Sequence, residues 1–127
     1  METRSATDIA TDWIQKWSAP SPPSIGAGVS DSTLDWEIPR ENPQLCLECI
    51  LEILDRIPSD PANNHFQVLA AGPLEDLLNE HGEAVVDDIE VLARRDPRFR
   101  LLLNGVWPSG VSESVMNRLA KYRKEPW

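Results

Sequence analysis

Positive charge is almost missing from the middle of this chain. Between Asp31 and Glu90 only Arg40 and Arg56 are basic, against fifteen acidic residues, whereas eight basic and three acidic residues follow Glu90. The formal net charge is −9 and the pI is near 4.6. Phosphate backbones are repelled by such a surface, so nucleic acid is not an expected partner. A basic protein surface is drawn to it. Long apolar runs are missing as well. No stretch approaches the roughly 20 apolar residues that cross a bilayer, and no membrane partner is expected. The start, Met1 to Asp8, lacks the basic and apolar regions of a secretory signal, so the expected compartment is the cytoplasm.

Catalytic and metal signatures are scarce in the same way. The two histidines, His65 and His81, stand far apart, and the two cysteines form one C-x-x-C at Cys46 and Cys49. A redox pair belongs at a helix N-terminus in a βαβ setting, and a closed zinc site needs four ligands. Here the pair lies inside the helical pattern Leu45 to Leu51, so burial as small hydrophobes is expected. Ser109, Ser112 and Ser114 have no nucleophile-elbow glycines around them. No glycine loop for phosphate is present. The expectation is a protein that is not an enzyme, with no cofactor and no metal.

What is present is helical. With 127 residues and 14.3 kDa the chain is long enough for one domain with a real core. Ile9, Trp13, Ile14 and Trp17 fall at helical spacing on a short amphipathic helix within residues 1–17, with Ser5 and Asp8 placed as a capping pair. Residues 18–30, rich in Pro, Ser and Gly, read as a linker. The first helix then either packs back on the body or acts as an arm that docks on a partner. Residues 31–127 read as a single helical domain.

Asn42-Pro43, Asp60-Pro61 and Asp96-Pro97 each place an N-cap residue before a proline and are expected to start helices. Gly72-Pro73 reads as a break, and His81-Gly82 as a helix end with a left-handed glycine cap. Between these marks the apolar period is 3.6. Leu47, Ile50, Ile53, Leu54 and Ile57 form one stripe, and Val85, Ile89 and Leu92 the next. Phe99, Leu102 and Leu103 follow, then Val115, Met116, Leu119 and Tyr122. The predicted fold is all-α, an irregular bundle or HEAT-like array of six to seven short helices in antiparallel pairs.

The stretch Ala70-Ala71-Gly72-Pro73-Leu74-Glu75-Asp76-Leu77-Leu78, with His81-Gly82, Ile89-Glu90, Ala93, Asp96-Pro97-Arg98-Phe99-Arg100 and Val106-Trp107, resembles a bacterial family of small helical proteins of unknown function. The resemblance covers roughly residues 31–110 and leaves out the N-terminal helix and the basic tail. It implies a bacterial origin and a helical fold, and it carries no catalytic residue.

The candidate interface is therefore electrostatic. Leu74, Leu77 and Leu78 claim the inner side of one helix, which leaves Glu75, Asp76 and Glu80 outside. On the next, Asp87, Asp88 and Glu90 are expected outside, with Glu90 partly neutralised by Arg94 four residues on. Glu75 and Asp76 also suit a helix first turn, through the macrodipole. His81 suits a helix C-terminus for the same reason. Trp36 and Trp107 are expected mainly in the core, and Trp127 exposed or partner-bound. The functional expectation is an acidic binding module, most specifically an immunity protein that occludes the basic cleft of a cognate toxin. The alternative is a non-catalytic structural or adaptor protein that self-associates through its acidic middle and basic tail. A monomer or homodimer is compatible with either.

Overall fold

The computed structural model describes residues 5–18, 33–35, 37–107 and 110–127. The linker residues 19–30, Trp36 and Ser109 lie outside these. Among the described residues there are seven α-helices and no strand: α1 Ala6–Ser18, α2 Glu37–Glu41, α3 Pro43–Leu54, α4 Asn64–Leu69, α5 Glu75–Arg95, α6 Pro97–Leu103 and α7 Glu113–Leu119. Short 3₁₀ turns at Thr33–Asp35 and Ala120–Tyr122 flank α2 and close α7. The architecture is an irregular all-α bundle. Its longest member, α5, touches α2, α3, α6 and α7, while α1 lies across α3 and α4.

The expected apolar stripes form one continuous core. Ile50, Ile53 and Leu54 of α3, Val85 and Ile89 of α5, Phe99, Leu102 and Leu103 of α6, and Val115 and Leu119 of α7 are all buried. α1 joins the same core through Ile9, Ala10 and Trp13. Ser5 Oγ accepts from Asp8 N–H at 3.1 Å and starts that helix. Asp35 fastens its other end, accepting from Trp13 Nε1 at 2.9 Å and from Lys16 Nζ at 2.6 Å. Of the two readings of the first helix, packing on the body is the observed arrangement. The Trp17 indole N–H is buried there without an acceptor among the described residues.

Two of the three cap-proline pairs start helices. Asn42 accepts from Leu45 N–H at the head of α3, and Asp96 accepts from Arg98 N–H at the head of α6. Asp60-Pro61 instead makes a turn, with Ala62 N–H on Asp60 Oδ1 at 2.9 Å and Asn63 N–H on Asp60 O at 2.8 Å. The helix begins two residues later, where Asn63 caps α4 by accepting from Phe66 N–H. Asn63 wins because its carboxamide reaches the orphan donor once the turn has been made.

Gly72-Pro73 does not break the chain. A π-helical segment, Ala70–Leu74, carries α4 into α5 without a gap. Pro73 has no N–H to give and its ring clashes in a regular α-turn. Widening the turn removes that clash, and Glu75 N–H then reaches back to Ala70 O. His81-Gly82 does interrupt the helix, but without the left-handed glycine cap. His81 departs from helical geometry at φ −135° and ψ 24°, and α5 continues after a kink. Gly82 is not left-handed. It is small because α7 presses on it, and an added Cβ would sit 3.3 Å from Val115 Cγ2.

The C-terminus is packed, contrary to expectation. Trp127 stacks on Phe66 with centroids 5.4 Å apart and donates from Nε1 to Leu101 O at 2.7 Å. A tryptophan with both a ring partner and a carbonyl within reach gains more inside than outside. Its indole also explains Gly105, where a Cβ would lie 2.5 Å from Trp127 Cη2 and 2.8 Å from Cε2. Gly105→Ala should therefore displace the indole and cost about 1–3 kcal/mol, the usual cost of overpacking. Urea unfolding followed by tryptophan fluorescence checks this. An unchanged midpoint would mean that the terminal residue is not seated against Phe66.

Candidate functional site

The six acidic residues singled out from the sequence do not share one environment. Glu75 is committed to structure, since its Oε1 accepts from Trp107 N–H at 3.1 Å. Two further points hold the same connection along α5. A Cβ at Gly110 would lie 2.8 Å from Asn79 Oδ1, and Ser114 Oγ donates to Glu83 Oε1 at 3.1 Å. Residues 75, 79 and 83 repeat every four positions, so one stripe of α5 meets Trp107, Gly110 and Ser114. Glu75 and Asp76 do stand in the first turn of α5, but the macrodipole has little to act through there. The π segment runs straight into α5, so there is no free set of N–H groups for a macrodipole to act through.

Asp87 and Glu90 form a second group. Arg118 of α7 donates from Nε to Glu90 Oε1 at 2.8 Å, and its Nη2 reaches both Asp87 and Glu90. Lys121 Nζ adds a contact to Glu90 Oε2 at 3.8 Å. Glu90, with only 13% of its side chain exposed, is therefore neutralised across the bundle by α7 rather than by Arg94. The basic tail folds back on the acidic middle, and the charge asymmetry along the sequence is partly cancelled in space. Asp88 is exposed and accepts from Gln44 Nε2 at 3.2 Å.

Asp76 and Glu80 belong to a third place, where α2 meets the kink of α5. His81 Nε2 donates to the carbonyl of Arg40, and Arg40 Nη1 lies 3.8 Å from Asp76 Oδ2. This contact replaces the expected capping role of His81: the ring ties two helices together instead of closing its own. Glu41 follows Arg40 and Glu80 precedes His81, with Glu37 one turn earlier on α2. Glu37, Glu41 and Glu80 are all exposed. They make no ion pair among the described residues. A shallow groove at the kink runs along Glu80, His81 and Glu83 to Ser112.

Asp76 is half-buried, against the expectation of full exposure, and burial pushes its carboxyl above the ordinary value. Arg40 pulls the other way, while Glu75, Glu80 and Asp35 add to the rise. A raised folded value means that folding favours the protonated acid. The associated stability is present below the unfolded value and is lost as pH rises through the folded one. Ionised Asp76 is thus a cost to folding at neutral pH, and perturbed carboxylates of this kind cluster at functional sites.

Trp107 is exposed where burial was favoured. It was expected mainly in the core, but 69% of it is exposed. The peptide that leads into it is held through both its polar groups, its N–H by Glu75 and the carbonyl of Val106 by Arg123 Nη2 at 2.6 Å. The signal available in the sequence was the following Pro108-Ser109-Gly110, which reads as a turn.

The cysteines are buried as expected. Burial, then Cys49 and Asp76, pushes the Cys46 thiol far up, and its Sγ lies 3.9 Å from the carbonyl of Pro73 as a weak donor. Among the described residues no three His, Cys, Asp or Glu side chains converge on a point that could hold a metal ion. No helix among them is long and apolar enough to cross a membrane.

A family model, described only as a family of unknown function (DUF6869), matches residues 29–127. The chain belongs to that family. The match takes in the basic tail, so the charges of α7 that neutralise Asp87 and Glu90 are family territory, whereas α1 is not. No curated protein and no solved structure matches the chain.

Proposed function

We propose that the protein is a non-catalytic binding module that captures a basic partner protein at the α2–α5 junction. The observation that carries this reading is Trp107. A large aromatic side chain stands in solvent on a fixed backbone, next to a helix bearing Asp76 and Glu80. Exposed aromatics on rigid supports are the anchors of protein interfaces. Lysine and arginine side chains are attracted both to the face of an indole and to carboxylates. Asp76 supports the same reading, because burial opposes its ionisation where it stands.

The specific form of this function is an immunity protein in a bacterial cytoplasm, which neutralises a cognate toxin by covering its basic cleft. Inhibition then needs no chemistry, only occlusion with carboxylates. The other reading, self-association of acidic middle with basic tail, has less support, because Arg118 and Lys121 already engage Asp87 and Glu90 within the chain.

Co-expression with the product of the neighbouring open reading frame, followed by affinity capture, tests the proposal. The expected result is a stoichiometric complex with a basic protein. Trp107→Ala should weaken that complex by about 2 kcal/mol or more, the mark of an interface anchor, with the unfolding midpoint unchanged. Capture of the protein by itself alone would favour self-association. A complex indifferent to Trp107→Ala would remove the indole as its anchor.

A further inference from the structure

On the opposite sign of charge, the C-terminal end of the chain builds a groove of about 490 Å³ between α6 and the closing 3₁₀ turn. Arg100, Lys121 and Lys124 line it, with Glu125 as the one acidic residue, and Leu101 and Tyr122 supply apolar wall. In a chain of net charge −9 these three cations face one acid of the lining, although Lys121 Nζ also lies 3.8 Å from Glu90 Oε2. Its volume is within the range of small-molecule sites.

The walls of the groove are held by an unusual device. Asn104 is only 5% exposed and is the one polar side chain among the buried residues described. Its Nδ2 donates to Arg100 O at 2.8 Å and to Tyr122 O at 3.0 Å, and its Oδ1 accepts from Glu125 N–H at 2.9 Å. Its own carbonyl accepts from Trp127 N–H at 3.3 Å. One side chain therefore joins α6 to both ends of the segment that carries Lys124. Arg123 adds a bond from Nε to Leu103 O at 3.2 Å. Arg100 is steadied from the other side, with Nη1 on Ala93 O at 2.9 Å. Three cations from two elements are thus presented on a fixed frame, and preorganised donors lose little on binding.

We propose that this groove binds a compact polyphosphate anion, free or as the diphosphate end of a nucleotide. Arg100 offers a planar fork to phosphate oxygens, and the two lysines act as point charges beside it. Compactness matters because the rest of the molecule is acidic. At physiological salt, charges are screened beyond about 8 Å, so a ligand confined to the groove feels its cations and, of the acidic middle, chiefly Glu90 beside Lys121. A nucleic acid chain would run on across acidic surface and be repelled. The proposal does not depend on the protein partner, whose binding face lies at the α2–α5 junction.

An amide NMR titration of the full chain with pyrophosphate, adenosine diphosphate and adenosine tests it. Pyrophosphate and the diphosphate should give saturable shifts confined to residues 100–104 and 121–125, and adenosine should give none. Tighter binding of the diphosphate than of pyrophosphate assigns the site to nucleotides. Equal binding assigns it to polyphosphate alone. Lys124→Glu, at an exposed residue with no ion pair among those described, should keep the fold and weaken both ligands by at least about tenfold, the effect of one charged hydrogen bond. Arg100→Gln should act in the same direction. Non-saturating shifts spread over the surface, binding of adenosine as strong as that of the diphosphate, or unchanged affinity in Lys124→Glu would each overturn the proposal.

Discussion

Trp13→Ala is expected to lower the stability of the protein by about 3–5 kcal/mol, the range for removing a fully buried large aromatic side chain. Trp13 is 0% exposed, packs with Trp17 at a centroid distance of 6.3 Å, and faces His65 at 6.1 Å. The variant also deprives Asp35 Oδ1 of the indole N–H at 2.9 Å. A domain of this size has roughly 5–15 kcal/mol in total, so the loss is a large fraction of it. Trp13→Phe keeps most of the ring and loses the hydrogen bond, and should cost about 1–2 kcal/mol. Urea midpoints of the two variants decide the matter. If α1 were a detachable arm, both would unfold with the parent protein, because an arm outside the cooperative unit adds nothing to its stability. The result matters for the family as well, since α1 lies outside the matched residues 29–127 and yet fills its core.

Much of this fold was readable residue by residue. Asn42-Pro43 and Asp96-Pro97 work as caps because the proline needs no N–H partner and the preceding side chain satisfies a local donor. The stripes of α3, α5, α6 and α7 turn inward because burial rewards that periodicity. Pro73 and Gly82 are where local rules misled. Proline normally ends a helix, but a single widened turn accommodates it when the flanks, Leu69, Leu74 and Leu77, are all held in the core. Glycine after histidine normally ends one too. Gly82 instead lies against Val115, where a Cβ would make a tight 3.3 Å contact, between residues 33 positions apart that no local pattern reports.

The candidate site was readable in composition and not in detail. That α5 is acidic was plain. Which carboxylates remain available depends on Arg118, which reaches back 28 positions to Glu90, and on Trp107, whose backbone N–H donates to the Glu75 carboxylate. Aromatic placement misled for the same reason. Trp107 and Trp127 are alike in composition terms, and only the position of Phe66 and Leu101 decides that the second is packed and the first is not.

Charge reversal at the α2–α5 junction should therefore be aimed at different residues from those that a helical wheel suggests. Asp87 and Glu90 are engaged by Arg118, and Asp76 faces Arg40, so changing them would disturb contacts within the fold. Glu37, Glu41 and Glu80 are exposed and make no ion pair among the described residues. Reversing these three together to lysine should shift stability by no more than about 0.5 kcal/mol, as surface substitutions do. The same change should slow association with a captured basic partner by about tenfold or more at low salt, because steering depends on the local field. The deficit should shrink as salt rises, since screening removes the steering from both forms. Asp76→Asn separates binding from folding at the same place. It removes a carboxyl whose ionisation burial opposes, so the unfolding midpoint at neutral pH should stay level or rise while the partner dissociates faster. Stopped-flow association across a salt series, with unfolding curves for each variant, tests both statements. An unchanged on-rate and salt slope in the triple variant would make this surface merely solvated. A fall in the midpoint of Asp76→Asn would show that the Arg40 contact outweighs burial, and that the carboxylate is kept for the fold.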